Sequence, residues 1–166
     1  MGLYRAVKNE HLPVNAFGWE IDPVGFRTTM RRLWDRYQLP LIITENGLGA
    51  LDELVDGRVR DDYRIEFLKL HLEQIRLAIS DGVDVFGYCP WTAIDVISTH
   101  QGISKRYGFI YVDRTEDDLK ELAGYGRTAS SGTRTSSPPA VSHCPSEDGP
   151  AVRAPVVRGI LPRTTP

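Results

Sequence analysis

The sequence predicts an α/β domain built on a parallel sheet and followed by a disordered tail. In residues 1–122 two apolar strand patterns alternate with two amphipathic helix patterns. The order helix, strand, helix, strand is typical of a parallel α/β sheet. From Ala123 the composition changes to Ser, Thr, Pro, Gly and Arg without a helical or strand period, so residues 123–166 are expected to be disordered.

The first helix and the first strand lie in residues 19–44. Asp22-Pro23 predicts the start of a helix, and the apolar residues that follow recur at steps of three and four. These residues are Phe26, Met30, Leu33 and Trp34. Pro40 allows the helix to end, and residues 41–44 then read as a buried strand.

The second helix and strand follow a polar loop. Asp61 and Asp62 favour a helix start, because a carboxylate caps free N–H groups and complements the helix dipole. One face of this helix is apolar, and it consists of Ile65, Leu68, Leu72, Ile75 and Ile79. Asp81-Gly82 ends the helix. Residues 83–91 are a second apolar strand, which delivers polar and aromatic residues at its carboxyl end.

Composition and charge exclude several classes of protein. The 166 residues are 41% hydrophobic and 25% charged, which suits one globular unit. A net charge of −2 gives no support for a nucleic-acid or anionic-membrane partner. Cys89 and Cys144 lack metal-ligand spacing, and no apolar run suits a bilayer span or a signal peptide. We therefore expect a cytoplasmic chain without cofactor or metal; the oligomeric state stays unknown.

A carboxylate, Glu45, comes directly after the first strand. In parallel α/β barrels the catalytic groups lie at the carboxyl ends of strands, because the loops there vary over a rigid scaffold. Glu45 is therefore well positioned for a nucleophile or a general base. Position alone leaves a helix-capping or loop role equally open.

The residues around Glu45 resemble a known family. Ile43-Thr44-Glu45-Asn46-Gly47 resembles the nucleophile motif of glycoside hydrolase family 1, the retaining β-glycosidases. GWEIDPVGF is similar to the segment before the seventh barrel strand of that family, and YCPWTAIDVISTHQGISKRYGFIYVD to the eighth strand and its loop. The resemblance implies that residues 1–122 are the C-terminal part of a (β/α)₈ TIM barrel, about strands 7 and 8 with their helices.

The resemblance also implies a mechanism. Glu45 would attack the anomeric carbon, while a second carboxyl group ~5–5.5 Å away protonates the leaving oxygen and later activates water. In the family that partner follows an asparagine near the fourth strand. The pair Asn9-Glu10 has no strand before it, and we interpret it as a surface loop. The acid/base is therefore expected to be missing, and this chain to be an inactive fragment by itself.

The loop after the second strand bears on the substrate. In the family's β-glucosidases this loop reads W-S-L-L-D-N-F-E-W, and its glutamate binds the outer hydroxyls of the sugar. Here Trp91 keeps the aromatic platform, but Ser98 stands in the place of that glutamate. Ser98, Lys105 and Tyr107 resemble the 6-phosphate clamp of the family's phospho-glycosidases. A carboxylate would repel a phosphate, whereas a hydroxyl and an ammonium bind it.

The implied substrate is a phosphorylated β-glucoside. Thr99 stands where phospho-galactosidases tend to keep a tryptophan, which favours 6-phospho-β-glucosides. Three alternatives remain open: a sugar-phosphate binding remnant without hydrolysis, a fragment of an unphosphorylated β-glucosidase, and an inert interaction or pseudogene product without a ligand.

A shifted reading frame is a further hypothesis for residues 123–166. One permitted codon choice for residues 126–138, read from its third base, gives K-D-S-F-F-W-Y-Q-D-V-I-A. That run resembles the basic, aromatic C-terminal helix of the family. On this hypothesis the segment did not evolve to fold and should be coil, detached from the rest.

Overall fold

The computed structural model describes residues 7–135 and contains three helices and four strands within that range. In chain order they are α1 (Pro23–Tyr37), β1 (Leu41–Asn46), α2 (Asp62–Ser80), β2 (Val85–Pro90), β3 (Ile110–Val112), β4 (Gly124–Gly126) and α3 (Thr128–Thr135). Strands β1 and β2 pair in parallel, whereas β3 and β4 pair antiparallel. The predicted alternation of helix and strand, and the predicted parallel pairing, are confirmed.

Helix α1 begins at the predicted turn. The side chain of Asp22 accepts a hydrogen bond from the N–H of Gly25 at 2.8 Å, and Pro23 occupies the first helical position. Proline suits that position because its missing N–H would have no partner inside the helix. At the other end Gln38 takes a left-handed conformation, with φ of 51°, and its N–H donates to the carbonyl of Trp34.

The main core lies between the two long helices and one face of the β1–β2 sheet. Its buried members are Met30, Ile43, Ile75, Ala78 and Val83. Because side chains alternate along a strand, Ile42 and Phe86 point to the other face. They are 46% and 51% exposed, respectively. Parallel sheets are normally covered on both faces. Within residues 7–135, however, this sheet is covered on one face only.

A second apolar cluster supports the carboxyl end of β1. Leu48, Phe67 and Leu68 are its buried members. His71 lies beside them, with its ring 4.0 Å from the ring of Phe67, centre to centre. Its Nδ1 lies 2.8 Å from the carbonyl oxygen of Phe67, and burial lowers the pKa of this imidazole. His71 is therefore a core residue.

The prediction that residues 123–166 are disordered is wrong for residues 123–135. These residues form β4 and α3, and they are joined to the rest by the pairing of β4 with β3, by the N–H of Ala129, which donates to Asp61, and by the side chain of Arg127. The Arg127 guanidinium is buried and forms ion pairs with Asp95 and Asp52, each at 2.9 Å. Composition could not reveal this, because the two carboxylates lie far away in the chain.

The remaining residues of the predicted tail, 136–166, lie outside the described residues. The frame-shift hypothesis stays a prediction there. Its expectation of detached coil from Ala123 onward is contradicted up to residue 135. Strand β4 pairs with β3 from Val112 opposite Gly124 to Ile110 opposite Gly126, and residues 128–135 form α3, in which the N–H of Ala129 donates to Asp61.

Candidate active site

The carboxyl ends of β1 and β2 meet beside Glu45. Asn46, the last residue of β1, lies opposite Pro90, the last residue of β2. The carbonyl of Asn46 accepts a hydrogen bond from the N–H of Trp91 at 2.9 Å, and its side-chain oxygen accepts one from the Tyr88 hydroxyl at 2.9 Å. These contacts fix the backbone on the carboxyl side of Glu45.

Glu45 itself is the second-last residue of β1, so the strand runs slightly further than the predicted residues 41–44. Its side chain is exposed and makes no hydrogen bond or ion pair with any other described residue. An exposed carboxylate without an internal partner keeps its lone pairs free for a ligand. This environment suits a nucleophile.

The chain leaves β1 through two glycines that allow a close approach to the loop after β2. A Cβ on Gly47 would overlap the carbonyl oxygen of Trp91. A Cβ on Gly49 would come within 2.5 Å of Lys105 Cε and 2.9 Å of Tyr107 Cε1. The two loops therefore lie in direct contact, and glycine is the residue that leaves room for it.

Three of the predicted binding residues come together at this contact. The ring of Trp91 meets the ring of Tyr107 edge-on, with centres 6.5 Å apart. The ammonium of Lys105 lies 5.5 Å from the centre of the Tyr107 ring. Trp91, Lys105 and Tyr107 thus form one aromatic and cationic patch beside the loop that follows Glu45.

Ser98, the fourth predicted binding residue, is not joined to that patch. Its N–H and carbonyl exchange hydrogen bonds with Gly102, at 2.8 and 3.1 Å, which closes a tight turn. Its hydroxyl lies 3.4 Å from the N–H of Gln101. Among the described residues no hydrogen bond links Ser98 with Lys105 or Tyr107. The predicted clamp is therefore not closed by contacts of its own.

Two aromatic residues that the sequence analysis did not identify cover Lys105. Its ammonium lies 3.4 Å from the centre of the Trp19 ring and 4.6 Å from that of Phe17. The available signal was the pair of aromatic residues around Gly18, which has a positive φ of 75°. Nothing local connects that turn with Lys105, so the contact needs the tertiary structure.

Asn15 holds this aromatic turn in place. Its side-chain oxygen accepts hydrogen bonds from the N–H groups of Phe17 and Trp19, both at 2.9 Å. Its side-chain amide donates to the carbonyl of Gly49 at 3.4 Å. One asparagine therefore organises the turn and ties it to the loop that follows β1.

Arg64 of helix α2 is buried and bonds to both the loop after β1 and the loop after β2. Nη1 of Arg64 donates to the carbonyl oxygen of Leu48, in the loop after β1. The same atom donates to the carbonyl oxygen of Tyr107 at 3.0 Å, in the loop after β2. Asp61 pairs with Nε of Arg64 at 3.1 Å, and its other oxygen accepts from the N–H of Ala129.

The predicted helix start at Asp61 is right in position, but the side chain serves another purpose. Asp61 stands at the N-cap of α2, yet its carboxylate makes no capping hydrogen bond to the helix. Burial raises the pKa of this carboxyl, against the opposing effects of the Ala129 N–H and the Arg64 charge. It links the arginine beneath the two loops to the start of α3.

Asp95 is the centre of a second buried ionic contact. It pairs with Arg106 at 3.1 Å and with Arg127 at 2.9 Å, and it accepts a hydrogen bond from the N–H of Gly108 at 2.9 Å. Burial opposes ionisation of Asp95, but the hydrogen bond and the charge of Arg127 outweigh burial, and the pKa of Asp95 is lowered. This carboxylate holds together the loop that carries Lys105 and Tyr107.

Glu10 lies in an exposed turn, and the adjacent N–H of Asn9 donates to Glu20 at 2.6 Å.

Within the described residues, no cluster of three or more His, Cys, Asp or Glu side chains is arranged to hold a metal ion. No helix in that part of the chain combines the length and apolarity that a membrane span requires.

Comparison with known proteins identifies a family. Residues 3–125 match the family model described as glycosyl hydrolase family 1. The chain is 53% identical over 121 residues to the aryl-phospho-beta-D-glucosidase BglC of Bacillus subtilis (strain 168), covering 73% of this chain and 25% of that protein. It is 55% identical over 119 residues to the phospho-cellobiase of Klebsiella oxytoca, covering 70% and 26%, respectively.

A solved structure agrees with the sequence comparison. The family 1 β-glucosidase from Thermotoga maritima superposes with a TM-score of 0.68 at 34% identity, over 74% of this chain and 27% of the other. The chain thus spans about a quarter of the length of the curated relatives it matches.

Proposed function

The chain belongs to glycosyl hydrolase family 1, and on that premise we propose that it is part of a retaining β-glycosidase that hydrolyses 6-phospho-β-glucosides. The observation that carries this proposal is Lys105. Its ammonium is fully buried and has no hydrogen-bond partner among the described residues, and it lies against the loop that follows Glu45. Burying a cation without a hydrogen-bond partner costs free energy. A phosphate group of the substrate would supply both the opposite charge and the missing acceptors.

Glu45 is the proposed nucleophile. Its carboxylate attacks the anomeric carbon and forms a glycosyl-enzyme, as the glycosidic bond to the leaving oxygen breaks. A second carboxyl group gives its proton to that oxygen and then takes one from the water that releases the sugar. Glu10 is a poor candidate for this group, because it lies in an exposed turn. We propose that the acid/base belongs to a part of the barrel that residues 7–135 do not include, and that this chain alone does not hydrolyse its substrate.

The proposed phosphate clamp consists of Ser98, Lys105 and Tyr107, with Trp91 as the platform for the sugar. The ammonium supplies charge-assisted hydrogen bonds, and the two hydroxyls donate neutral ones. The absence of a hydrogen bond between Ser98 and Lys105 is compatible with a phosphate that bridges them. The names of the two curated relatives described above, each more than 50% identical, also support a phosphorylated substrate.

Binding of a sugar phosphate without hydrolysis is the second candidate function. One observation favours it. Lys105 and the aromatic residues that cover it all lie within residues 17–107, so the proposed phosphate site is within this chain. The chain spans only a quarter of the length of its relatives, and the proposed acid/base is not among the described residues. A plain β-glucosidase fragment, the third reading, would need a carboxylate where Ser98 stands.

A chimeric enzyme separates these possibilities. Residues 7–125 would replace the matching segment of the Bacillus subtilis aryl-phospho-β-D-glucosidase, which supplies the rest of the barrel. We expect hydrolysis of 4-nitrophenyl 6-phospho-β-glucoside and little of 4-nitrophenyl β-glucoside. Equal kcat/KM for both substrates would refute the phosphate clamp, and a folded chimera that binds glucose 6-phosphate but hydrolyses neither substrate would favour binding without catalysis.

A further inference from the structure

Lys105 is enclosed by aromatic rings rather than by hydrogen-bond acceptors. Its ammonium is nearest to Trp19, at 3.4 Å from the ring centre, with Phe17 and Tyr107 further away at 4.6 and 5.5 Å. A cation over an aromatic face is stabilised electrostatically, most strongly by tryptophan. These contacts offset only part of the cost of removing an ammonium from water, because the N–H donors stay without acceptors.

The three rings differ in how freely they could leave. Tyr107 is buried and packs against Gly49, and Phe17 is half-buried. Trp19 is 53% exposed, so its outer face meets solvent while its inner face covers the ammonium. Of the three rings, Trp19 is both the nearest to the ammonium and the most exposed to solvent, so its indole is the ring that an approaching anion would meet first.

We propose that Trp19 determines the specificity of the phosphate site, by shielding Lys105 until a sugar phosphate displaces the indole. This inference rests on the proposed phosphate clamp. A phosphate gives the ammonium both an opposite charge and strong acceptors, which compensates for the lost ring contact. A neutral sugar hydroxyl gives an acceptor without charge. An unphosphorylated glucoside therefore leaves the ring in place, and the shield discriminates against it.

The shield is tested first without any ligand, by the reactivity of lysine side chains in the full 166-residue chain. After brief treatment with an amine-reactive acetylating reagent, mass spectrometry gives the acetylated fraction of each lysine. Lys69, whose side chain is 73% exposed, is the internal reference. We expect Lys105 to react at least about tenfold more slowly than Lys69, since a buried amine is out of reach of the reagent. In Trp19→Leu this ratio should fall severalfold, and in Trp19→Phe it should largely recover.

The matched control is Tyr37→Ala, which removes an aromatic ring of similar exposure, 54%, far from Lys105 in the chain. It should leave the ratio unchanged. Circular dichroism checks that each variant is folded, and Trp19→Ala serves as a second variant if Trp19→Leu is not. Folded Trp19 variants in which Lys105 reacts no faster than in the unmodified chain would overturn the shield.

Displacement is tested by tryptophan emission on addition of glucose 6-phosphate or glucose, with binding followed separately by calorimetry. We expect an emission change with glucose 6-phosphate only, reduced in Trp19→Phe because Trp34 and Trp91 remain. Removing the competing ring in Trp19→Leu should tighten glucose 6-phosphate binding by about two- to fivefold. Binding without a Trp19-dependent emission change would overturn the displacement. If glucose 6-phosphate binds no more tightly than glucose, the phosphate specificity of the proposed function fails, and displacement with it, whereas the reactivity result still decides the shield.

Discussion

Gly49 packs against Lys105 so closely that a methyl group on Gly49 would come within 2.5 Å of Lys105 Cε. Gly49 belongs to the loop that carries the chain away from Glu45, and Lys105 to the loop after β2. The proposed nucleophile and the proposed phosphate cation are thus supported by two loops that share one packed contact. A change in either loop is expected to affect both functions.

Substituting Gly49 by alanine tests that contact. We expect Gly49→Ala to lower the free energy of unfolding by about 1–3 kcal/mol, as overpacking in a filled interior does. Gly126→Ala is the control, since a Cβ there would have its nearest contact at 3.4 Å, from Ser130 Oγ. Chemical denaturation of both variants measures the difference. Equal stability of the two variants would mean that the loops yield easily and that their packing does not fix the site.

The nucleophile is tested in the chimera. Glu45→Gln should abolish turnover, because an amide is a far poorer nucleophile than a carboxylate. A mechanism-based fluoro-sugar should become attached to Glu45, as identified by mass spectrometry of the peptides. Glu53→Gln is the matched control, since Glu53 is also exposed and lies in the loop after β1. Near-normal activity of Glu45→Gln, or a label on another residue, would refute the assignment.

The phosphate preference is tested at Ser98. In the chimera, Ser98→Glu should raise KM for phosphorylated β-glucosides by at least about tenfold, roughly 1.4 kcal/mol, because a carboxylate repels the phosphate. It should partly restore activity on unphosphorylated ones. Ser104→Glu is a control on the same loop, at an exposed serine whose hydroxyl bonds to the Gln101 carbonyl. A similar loss in both variants would point to disturbance of the loop rather than to a phosphate contact.

The first two helices and the parallel strands were predictable because their signals are local. Asp22 is the N-cap of α1 and Pro23 is the first residue of that helix. The alternation of side chains along β1 places Ile43 on the face that packs against the helices. The order of residues 123–135 and the covering of Lys105 were not predictable, because each depends on partners that are distant in sequence. Arg127 meets Asp95, and Lys105 meets Trp19, only after the chain has folded. From composition alone, such charged residues are expected to be exposed to solvent.

The order of the segment after residue 122 is tested at Arg127. We expect Arg127→Met to lower the free energy of unfolding by about 3 kcal/mol, because it removes one partner from Asp95 and from Asp52 and leaves their buried charges less compensated. Arg76→Met is the control, since its ion pair with Glu73 is on the surface and should contribute little. A stability loss no larger than that of Arg76→Met would restore the interpretation of a tail detached from the fold.

The pH dependence of stability should report on His71. Burial between Phe26 and Phe67 lowers the pKa of this imidazole, against the smaller opposing effects of the Phe67 carbonyl and Asp22. The unfolded chain therefore binds a proton near its ordinary pKa of about 6.5, where the folded chain still does not. By linkage the full stability is present above that pH, and it falls as the pH drops toward the folded pKa, by at most about 1.4 kcal/mol per pH unit.

His71→Leu removes the group that titrates and replaces it with an apolar side chain of similar size. Denaturation between pH 7.5 and 5.5 should show stability falling on acidification in the unmodified chain, and a flatter profile in His71→Leu. His100→Gln, at an exposed histidine, should keep the slope of the unmodified chain. If His71→Leu loses stability on acidification as steeply as the unmodified chain, the imidazole does not resist protonation. His71 would then be charged inside the cluster of Leu48, Phe67 and Leu68, contrary to the packing that supports the end of β1.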